Sequence, residues 1–308
     1  MQVVSDLQSF DKPDFSAVTI GTFDGVHLGH QIILEKVVKT AQDNGGKSIL
    51  ITFWPHPRFI LRPDDSSLKL LSTFEEKMQL VQQIGVDYIV KLAFTPAFAS
   101  LTADQFVRQV LVEGISTNKL FIGYDHRFGN NREGNIEFLK ENQNKYSFSV
   151  SEIPRQDIDD IGVSSTKIRN ALNEGDVSLA ATLLGRSYSL KGKVVHGEKK
   201  GRSIGFPTAN ILVDEPFKLL PGDGVYAVRV IRGDKVLEGM LNIGFRPTLG
   251  GDKKSIEVHL FNFEGELYNE ELTVQFVEFI RAEVKFDSIT SLKTQLEKDS
   301  VKAKRILK

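Results

Sequence analysis

Cysteine is absent from the 308 residues, so disulfides, thiolate catalysis and cysteine-ligated zinc are all excluded. The absence also fits a reducing compartment. An excess of charge of either sign is missing too: 39 Lys and Arg stand against 40 Asp and Glu, a formal net charge of −1. A dedicated nucleic-acid binder leaves a basic surplus as its footprint, so no nucleic-acid partner is expected. No apolar run reaches the ~18 residues that read as a membrane span, and the start, Met1-Gln2-Val3-Val4-Ser5-Asp6, lacks the basic stretch and apolar core of a signal peptide. Internal repeats and low-complexity segments are lacking as well. The expectation is a soluble, cytoplasmic protein with no membrane partner, and the length sets two domains as a first guess.

What is present is organised around Gly21-Thr22-Phe23-Asp24-Gly25-Val26-His27-Leu28-Gly29-His30. The apolar run Ala17-Val18-Thr19-Ile20 leads in as a buried strand. Leu28, Ile32, Ile33, Val37, Val38 and Ala41 then recur at helical spacing. The stretch therefore reads as strand, tight glycine turn and helix start. The free N–H groups and positive dipole end of that helix face the place where an anion would sit. His27 and His30 are three apart and share one face, while Gly25 and Gly29 let a phosphate approach the backbone. A nucleoside triphosphate is the expected occupant.

Up to about residue 185 strands and helices alternate. Strands are expected at 47–54, 86–93, 119–123 and 146–153. Capping boxes at Ser72/Glu75 or Thr73/Glu76, and at Thr102/Gln105, open helices that stop near Gly85 and Gly114. Further helices open at Ser164 or Ser165 and at Asp176, the second stopped by Gly185. Repeated strand–helix units imply a parallel sheet covered on both faces, Rossmann-like in architecture, with ligands beyond the carboxyl ends of its strands. Afterwards the pattern changes to strands at 187–195, 224–231, 236–242, 255–263 and 272–280, with a helix only after Asp287. That points to an antiparallel β-barrel with a terminal helix. The fold class is thus α/β plus β, with domains at 1–184 and 185–308.

Four of the six histidines fall within residues 27–126, yet none is paired at i,i+4 and no H-E-x-x-H is present, so protein-ligated zinc is not expected. At the start of another helix, Ser164, Ser165, Thr166, Lys167 and Arg169 combine hydroxyls with cations, which makes either a phosphate clamp or simply a capped helix with a solvated basic face. Between the two clusters, Gly123-Tyr124-Asp125-His126-Arg127-Phe128-Gly129-Asn130-Asn131-Arg132-Glu133-Gly134 mixes aromatics, charges and glycines after a strand.

The opening turn resembles the signature of the nucleotidylyltransferase superfamily, in its flavin adenylyltransferase branch. The Ser164–Arg169 stretch is similar to that superfamily's second, triphosphate-gripping signature. The Gly123–Gly134 loop and Thr52-Phe53-Trp54-Pro55-His56-Pro57 resemble segments of bacterial FAD synthetases, with Trp54 where that family often has an acid and His126 where it often has Phe. The resemblance implies an ATP site built from Gly21, Phe23, Gly25, His27, Gly29, His30, Ser164, Ser165, Thr166 and Arg169. His27, His30 and Arg169 are its catalytic members, and Asp125, Phe128 and Arg132 meet the flavin. The acceptor, FMN, is already an anionic nucleophile. Positioning and charge stabilisation then carry the rate, and no paired carboxylates are needed.

In the second half Gly192 to Gly197 is followed by Gly201-Arg202-Ser203-Ile204-Gly205-Phe206-Pro207-Thr208-Ala209-Asn210. In extended chain Thr208 and Asn210 face the same way, and their neutral oxygens suit Mg²⁺. Gly197, Arg202 and Gly205 then belong to a flap over ATP phosphates. A glycine-rich hairpin with a proline stop fits the residues equally well. Ile256, Val258 and Leu260 share one face of an alternating strand, and Glu257 and His259 the other. These two stretches resemble the riboflavin kinase domain, as do Pro221–Ala227, Asn242–Thr248 and Arg281–Phe286. There the glutamate is the catalytic base, so the resemblance makes Glu257 the base, Thr208 and Asn210 the metal ligands, and Arg281 and Phe286 flavin contacts.

Both halves are therefore similar to the bacterial bifunctional riboflavin kinase/FAD synthetase family. The implied function is FAD formation in two ATP-dependent steps: riboflavin to FMN in the C-terminal domain, then FMN to FAD in the N-terminal one, with Mg²⁺ in both. A chain with one active half, or a flavin-binding regulator, is the alternative. Intact His27, His30, Thr208, Asn210 and Glu257 argue against both.

Overall fold

In the computed structural model the described residues are 1–65, 67–123, 126–153, 162–197, 200–248 and 251–308, with the side chains of 200, 245–248 and 251–253 outside the description. By contact they form two compact units, Met1–Ser165 and Thr166–Lys308.

The first unit runs β1 (Gln2–Val4), β2 (Ser16–Ile20), α1 (Leu28–Asp43), β3 (Lys47–Phe53), α2 (Pro57–Leu61), α3 (Phe74–Ile84), β4 (Tyr88–Leu92), α4 (Pro96–Ala99), α5 (Ala103–Phe106), β5 (Lys119–Gly123), α6 (Ile136–Tyr146) and β6 (Ser149–Ile153). Every strand pair is parallel, in the order β1-β4-β3-β2-β5-β6. The chain moves outward one way through β3 and β4 and the other way through β5 and β6. The order therefore reverses between β2 and β5, and a ligand crevice is expected beyond their carboxyl ends. All five residues of β2 are buried, as a central strand covered on both faces requires. One core packs Ile49, Ile51 and Val90 against Phe106 and Leu111; the other packs Leu50 and Ile89 against Leu34, Val37 and Val81.

Local chemistry sets the helix ends. Of the two capping boxes open at the third helix, the one formed is Thr73 with Glu76, and Gly85 closes that helix at φ +95°. Thr102 and Gln105 form the other expected box, but α5 passes after one turn into a π-helical stretch, Val107–Val112. Position 146 differs from expectation. Tyr146 ends α6, whose buried Ile136, Leu139 and Tyr146 lie on one helical face, and β6 begins only at Ser149 after a left-handed Ser147.

The second helical pair, α7 (Ser165–Asn173) and α8 (Val177–Leu184), carries the expected Asp176 cap and a left-handed Gly185. It precedes β7 (Ser189–Val195), α9 (Lys200–Ser203), β8 (Ala209–Leu212), β9 (Gly224–Arg232), β10 (Lys235–Thr248), β11 (Gly251–Leu260), β12 (Glu271–Arg281) and α10 (Ile289–Leu307). The six strands close as an antiparallel barrel in the order β10-β11-β8-β7-β12-β9, with β10 paired back onto β9. The short β8, inside the stretch read as hairpin or flap, completes it. By contact α7 and α8 belong to the barrel unit: Gly222 N–H donates to the Leu172 carbonyl at 2.8 Å, and Tyr226 and Phe279 pack against Gly175.

Candidate active sites

The Gly21–His30 turn leaves the carboxyl end of β2 at the point where the strand order reverses. Gly25 takes φ +81°, and its neighbours Phe23 and Val26 also lie in the left-handed region at φ 46° and 39°. Such residues persist only where surrounding contacts over-determine them, at roughly 1–3 kcal/mol each. The contacts are present. The buried Asp24 carboxylate accepts the Leu71 N–H at 3.0 Å and the Ser72 N–H at 3.2 Å, while Ser72 Oγ accepts from Gly25 N–H at 3.1 Å. His27 is the N-cap of α1, its Nδ1 accepting from His30 N–H at 3.3 Å. The two imidazoles stack with centroids 3.6 Å apart, and Phe23 lies 4.7 Å from His30. With Nδ1 of His27 an acceptor, the proton of the neutral ring sits on Nε2.

Residues after β2, β3 and β5 line a cavity of about 410 Å³ in the same unit, within the roughly 300–1,000 Å³ common for small-molecule sites. Gly21 and Thr22 form one side, Phe128 and Arg132 another, and Phe53, Phe98 and Phe106 the apolar wall. Phe128 is anchored by a two-way backbone pair with Gly134 and lies 5.5 Å from Phe106. A flat aromatic ring and an anionic group match that lining. Two of the three expected flavin contacts are thus on the cavity. The third, Asp125, lies outside the described residues.

In the Ser164–Arg169 stretch, Ser165 Oγ donates to the Asp24 carbonyl at 3.0 Å, which joins the two sequence signatures within the first unit. Ser164 is exposed; Thr166 and Arg169 stand in the first turns of α7, counted with the second unit.

In the barrel, strand register does the positioning. Glu257 lies opposite Asn210 on one side and Asn242 on the other, and Asn210 lies opposite Val195. Thr208 Oγ1 donates to Glu257 Oε2 at 3.1 Å. A hydroxyl that donates to a carboxylate keeps its lone pairs for a cation. Hydroxyl, amide and carboxylate oxygens together are a hard donor set that fits Mg²⁺. A Cβ on Gly197 would sit 2.1 Å from Asn210 Nδ2, so glycine there makes room for that amide. His259 Nδ1 meets the Pro207 carbonyl at 2.8 Å, and burial pushes the imidazole below its usual range. Gly205 turns at φ +87° and Arg202 is exposed.

Arg281 has a partner that the sequence did not announce. Its guanidinium grips the buried Asp299 of α10 at 2.8–3.1 Å and stands 5.7 Å from the Phe286 ring, clamping the terminal helix to the end of β12. The other residue missed is Lys77, 3% exposed on α3, whose Nζ donates to the Thr22 carbonyl at 2.6 Å. The available signal was its place on the buried stripe of α3, four residues before Val81.

Residues 10–167 match the family model described as FAD synthetase and residues 184–307 the one described as riboflavin kinase. A bifunctional riboflavin kinase/FMN adenylyltransferase from Buchnera aphidicola subsp. Schizaphis graminum is 41% identical over 92% of this chain and 91% of its own. One from Haemophilus influenzae is 38% identical over 99% and 98%. A crystal structure from Streptococcus pneumoniae, described as a macrolide-efflux protein, shares the fold at TM-score 0.86 and 30% identity over 98% of both chains. That description stays with that protein; among the residues described here, no helix is long and apolar enough to cross a membrane. Since both family models match in sequence order and the relatives align over almost the whole length, the chain belongs to the bifunctional riboflavin kinase/FMN adenylyltransferase family.

Proposed function

We propose that this chain makes FAD from riboflavin in two steps, with the residues above in defined roles and the functional boundary at 184/185. In the barrel Glu257 takes the proton of the ribityl 5′-hydroxyl. The freed oxygen bonds to the γ-phosphorus of ATP, the bond to the β-phosphate oxygen breaks, and ADP leaves with FMN formed. A hydroxyl is a weak nucleophile until a base takes its proton, which is why an acid stands there. Thr208 and Asn210 would hold Mg²⁺, which when bound offsets the charge of the ATP phosphates. Gly197, Arg202 and Gly205 cover those phosphates, and Arg281 and Phe286 border the flavin.

In the N-terminal domain, residues 1–184 of that division, the FMN phosphate oxygen bonds to the α-phosphorus of ATP, the bond from that phosphorus to the bridging oxygen of the β-phosphate breaks, and pyrophosphate leaves. No base is needed. The helix start at Gly29, the Nε2–H of His27, His30 and the hydroxyls and cation of Ser164, Ser165, Thr166 and Arg169 stabilise the polyphosphate. Phe128 and Arg132, with Asp125, hold the flavin in the aromatic cavity. A cytoplasmic location, where riboflavin, FMN and ATP would meet, goes with this reading.

The observation that carries this reading is the hydrogen-bonded Thr208–Glu257 pair in register with Asn210, set against a stacked His27–His30 pair at a helix start. Purified protein with riboflavin, ATP and Mg²⁺ should yield FMN first and FAD later on chromatography, and excess chelator should stop both. FMN alone, FAD only from supplied FMN, or bound flavin with neither product would each overturn the two-step claim.

A further inference from the structure

Lys77 is a buried lysine that the mechanism above does not use. Its Nζ donates to the Thr22 carbonyl at 2.6 Å and to the Thr52 hydroxyl at 3.3 Å, and lies 5.6 Å from the centre of the Trp54 ring. Thr22 belongs to the strained Gly21–His30 turn and borders the aromatic cavity. An ammonium in such surroundings is expensive unless something compensates it. The turn supplies the Asp24 carboxylate, which faces it across the fold. Thr52 on β3 contributes a hydroxyl and Trp54, just past that strand, an indole. On α3 itself, Glu76 accepts the Thr73 N–H in the helix cap. From β4, the Lys91 ammonium rests over the Phe74 ring at 4.4 Å. The titratable groups of α1 next to the turn are His27 and His30.

We propose that Lys77 is a positioning residue for adenylyl transfer: it clamps the nucleotide turn through the Thr22 carbonyl, and its charge is completed by the polyphosphate that the turn receives. The inference rests on the reading of that turn as an ATP site. Lys77 touches no reacting atom, being almost wholly buried; it acts through the backbone whose strained shape it fixes.

Burial pushes the Lys77 ammonium from its ordinary 10.5 down to about 8, with the Asp24 charge pulling the other way. In the empty protein the charge is therefore lost as pH rises through about 8. A polyphosphate anion at the turn favours the charged form and raises that value. By reciprocity the charged lysine tightens ATP binding, so above pH 8 nucleotide binding at this site takes up a proton. Stability moves in the opposite sense. Between about 8 and 10.5 the unfolded chain holds the proton that the folded chain has lost, so folding gains from rising pH while nucleotide affinity falls.

The chain contains a single tryptophan, Trp54, so its emission reports on this lysine without any label. Emission of the full chain, titrated through alkaline pH, should show a transition near 8, and ATP should move it upward. Lys77→Met and Lys77→Arg should both abolish the transition, the first by removing the charge and the second by making it permanent. In FMN-to-FAD assays Lys77→Met should raise KM for ATP about tenfold with a smaller change in kcat, the equivalent of one pKa unit. Lys77→Arg should keep its ATP affinity at alkaline pH where the parent protein loses it. Riboflavin phosphorylation should not change in either variant. A Trp54 transition that survives Lys77→Met, or one that ATP leaves in place while the same sample makes FAD, overturns the proposal. Should the protein make no FAD at all, the ATP-site reading itself falls, whereas the ligand-free transition still reports on the lysine.

Discussion

The two units solve one problem, receiving a phosphate chain, with different parts of the polypeptide. In the α/β unit the first turn of α1 has N–H groups that no helical carbonyl can take, and a strained turn aims them. Among the described strands of the barrel there is no such reserve. A closed sheet consumes its backbone donors in the ladders, so anything offered to a ligand there must be a side chain or a loop. In the proposed reading Thr208, Asn210 and Glu257 are those side chains, brought together by the register of β8 and β11. The nucleophiles differ in the matching sense: an anionic phosphate needs donors and alignment, a hydroxyl needs a base. Backbone amides supply the first, and only a side chain supplies the second.

Three substitutions test that contrast. The largest effect is expected from Glu257→Gln, which keeps size and hydrogen-bonding capacity but removes the base. FMN formation should slow by about 10²–10⁴-fold, while supplied FMN is still converted to FAD, both read by product chromatography. If riboflavin phosphorylation survives the change, the base lies elsewhere. His30→Ala should invert the pattern, with FAD formation down by about 10²–10³-fold, as for loss of one preorganised donor, and FMN formation retained. Loss of both activities in a folded His30→Ala protein would end the claim that the two sites are chemically independent. The third change is read in stability rather than in turnover, and separates the units that way. Arg281→Ala leaves the Asp299 carboxylate, 1% exposed, without its guanidinium. The cost should be about 3–5 kcal/mol, seen in calorimetry as a lower melting temperature for the barrel. Unchanged melting would show that the Arg281–Asp299 clamp does not hold α10 to the barrel.

Legibility followed the range of the interaction. Capping boxes at Thr73 and Thr102, the Asp176 cap and the glycine stops at 85 and 185 are contacts within a few residues, and the sequence states them directly. The stacked histidines at i,i+3 are equally local. Tyr146 was misread as strand because a β-prone run at 146–153 hides that its first residues finish a helical face. β8 was hidden for another reason. Four residues carry too short a period to read, and their strand character comes from neighbours on β7 and β11. The pairing of Arg281 was hidden as well, because nothing near it in the chain reveals Asp299 eighteen residues on.

The amino-acid sequence by itself determined two kinds of domain, the turn that opens the first, the glutamate strand of the second, and the family. All of these are written in residue periodicity and in motifs a dozen residues long. Only the tertiary structure decided which residues compensate one another across the fold. Asp24 ties the turn to 71–72, Lys77 clamps it from α3, five phenylalanines converge on a cavity from four segments, and Thr208 reaches Glu257 over 49 positions of chain. The physical reason is that a buried charge or donor must be satisfied, but the partner that satisfies it is chosen by sheet order and barrel closure, which no local pattern encodes.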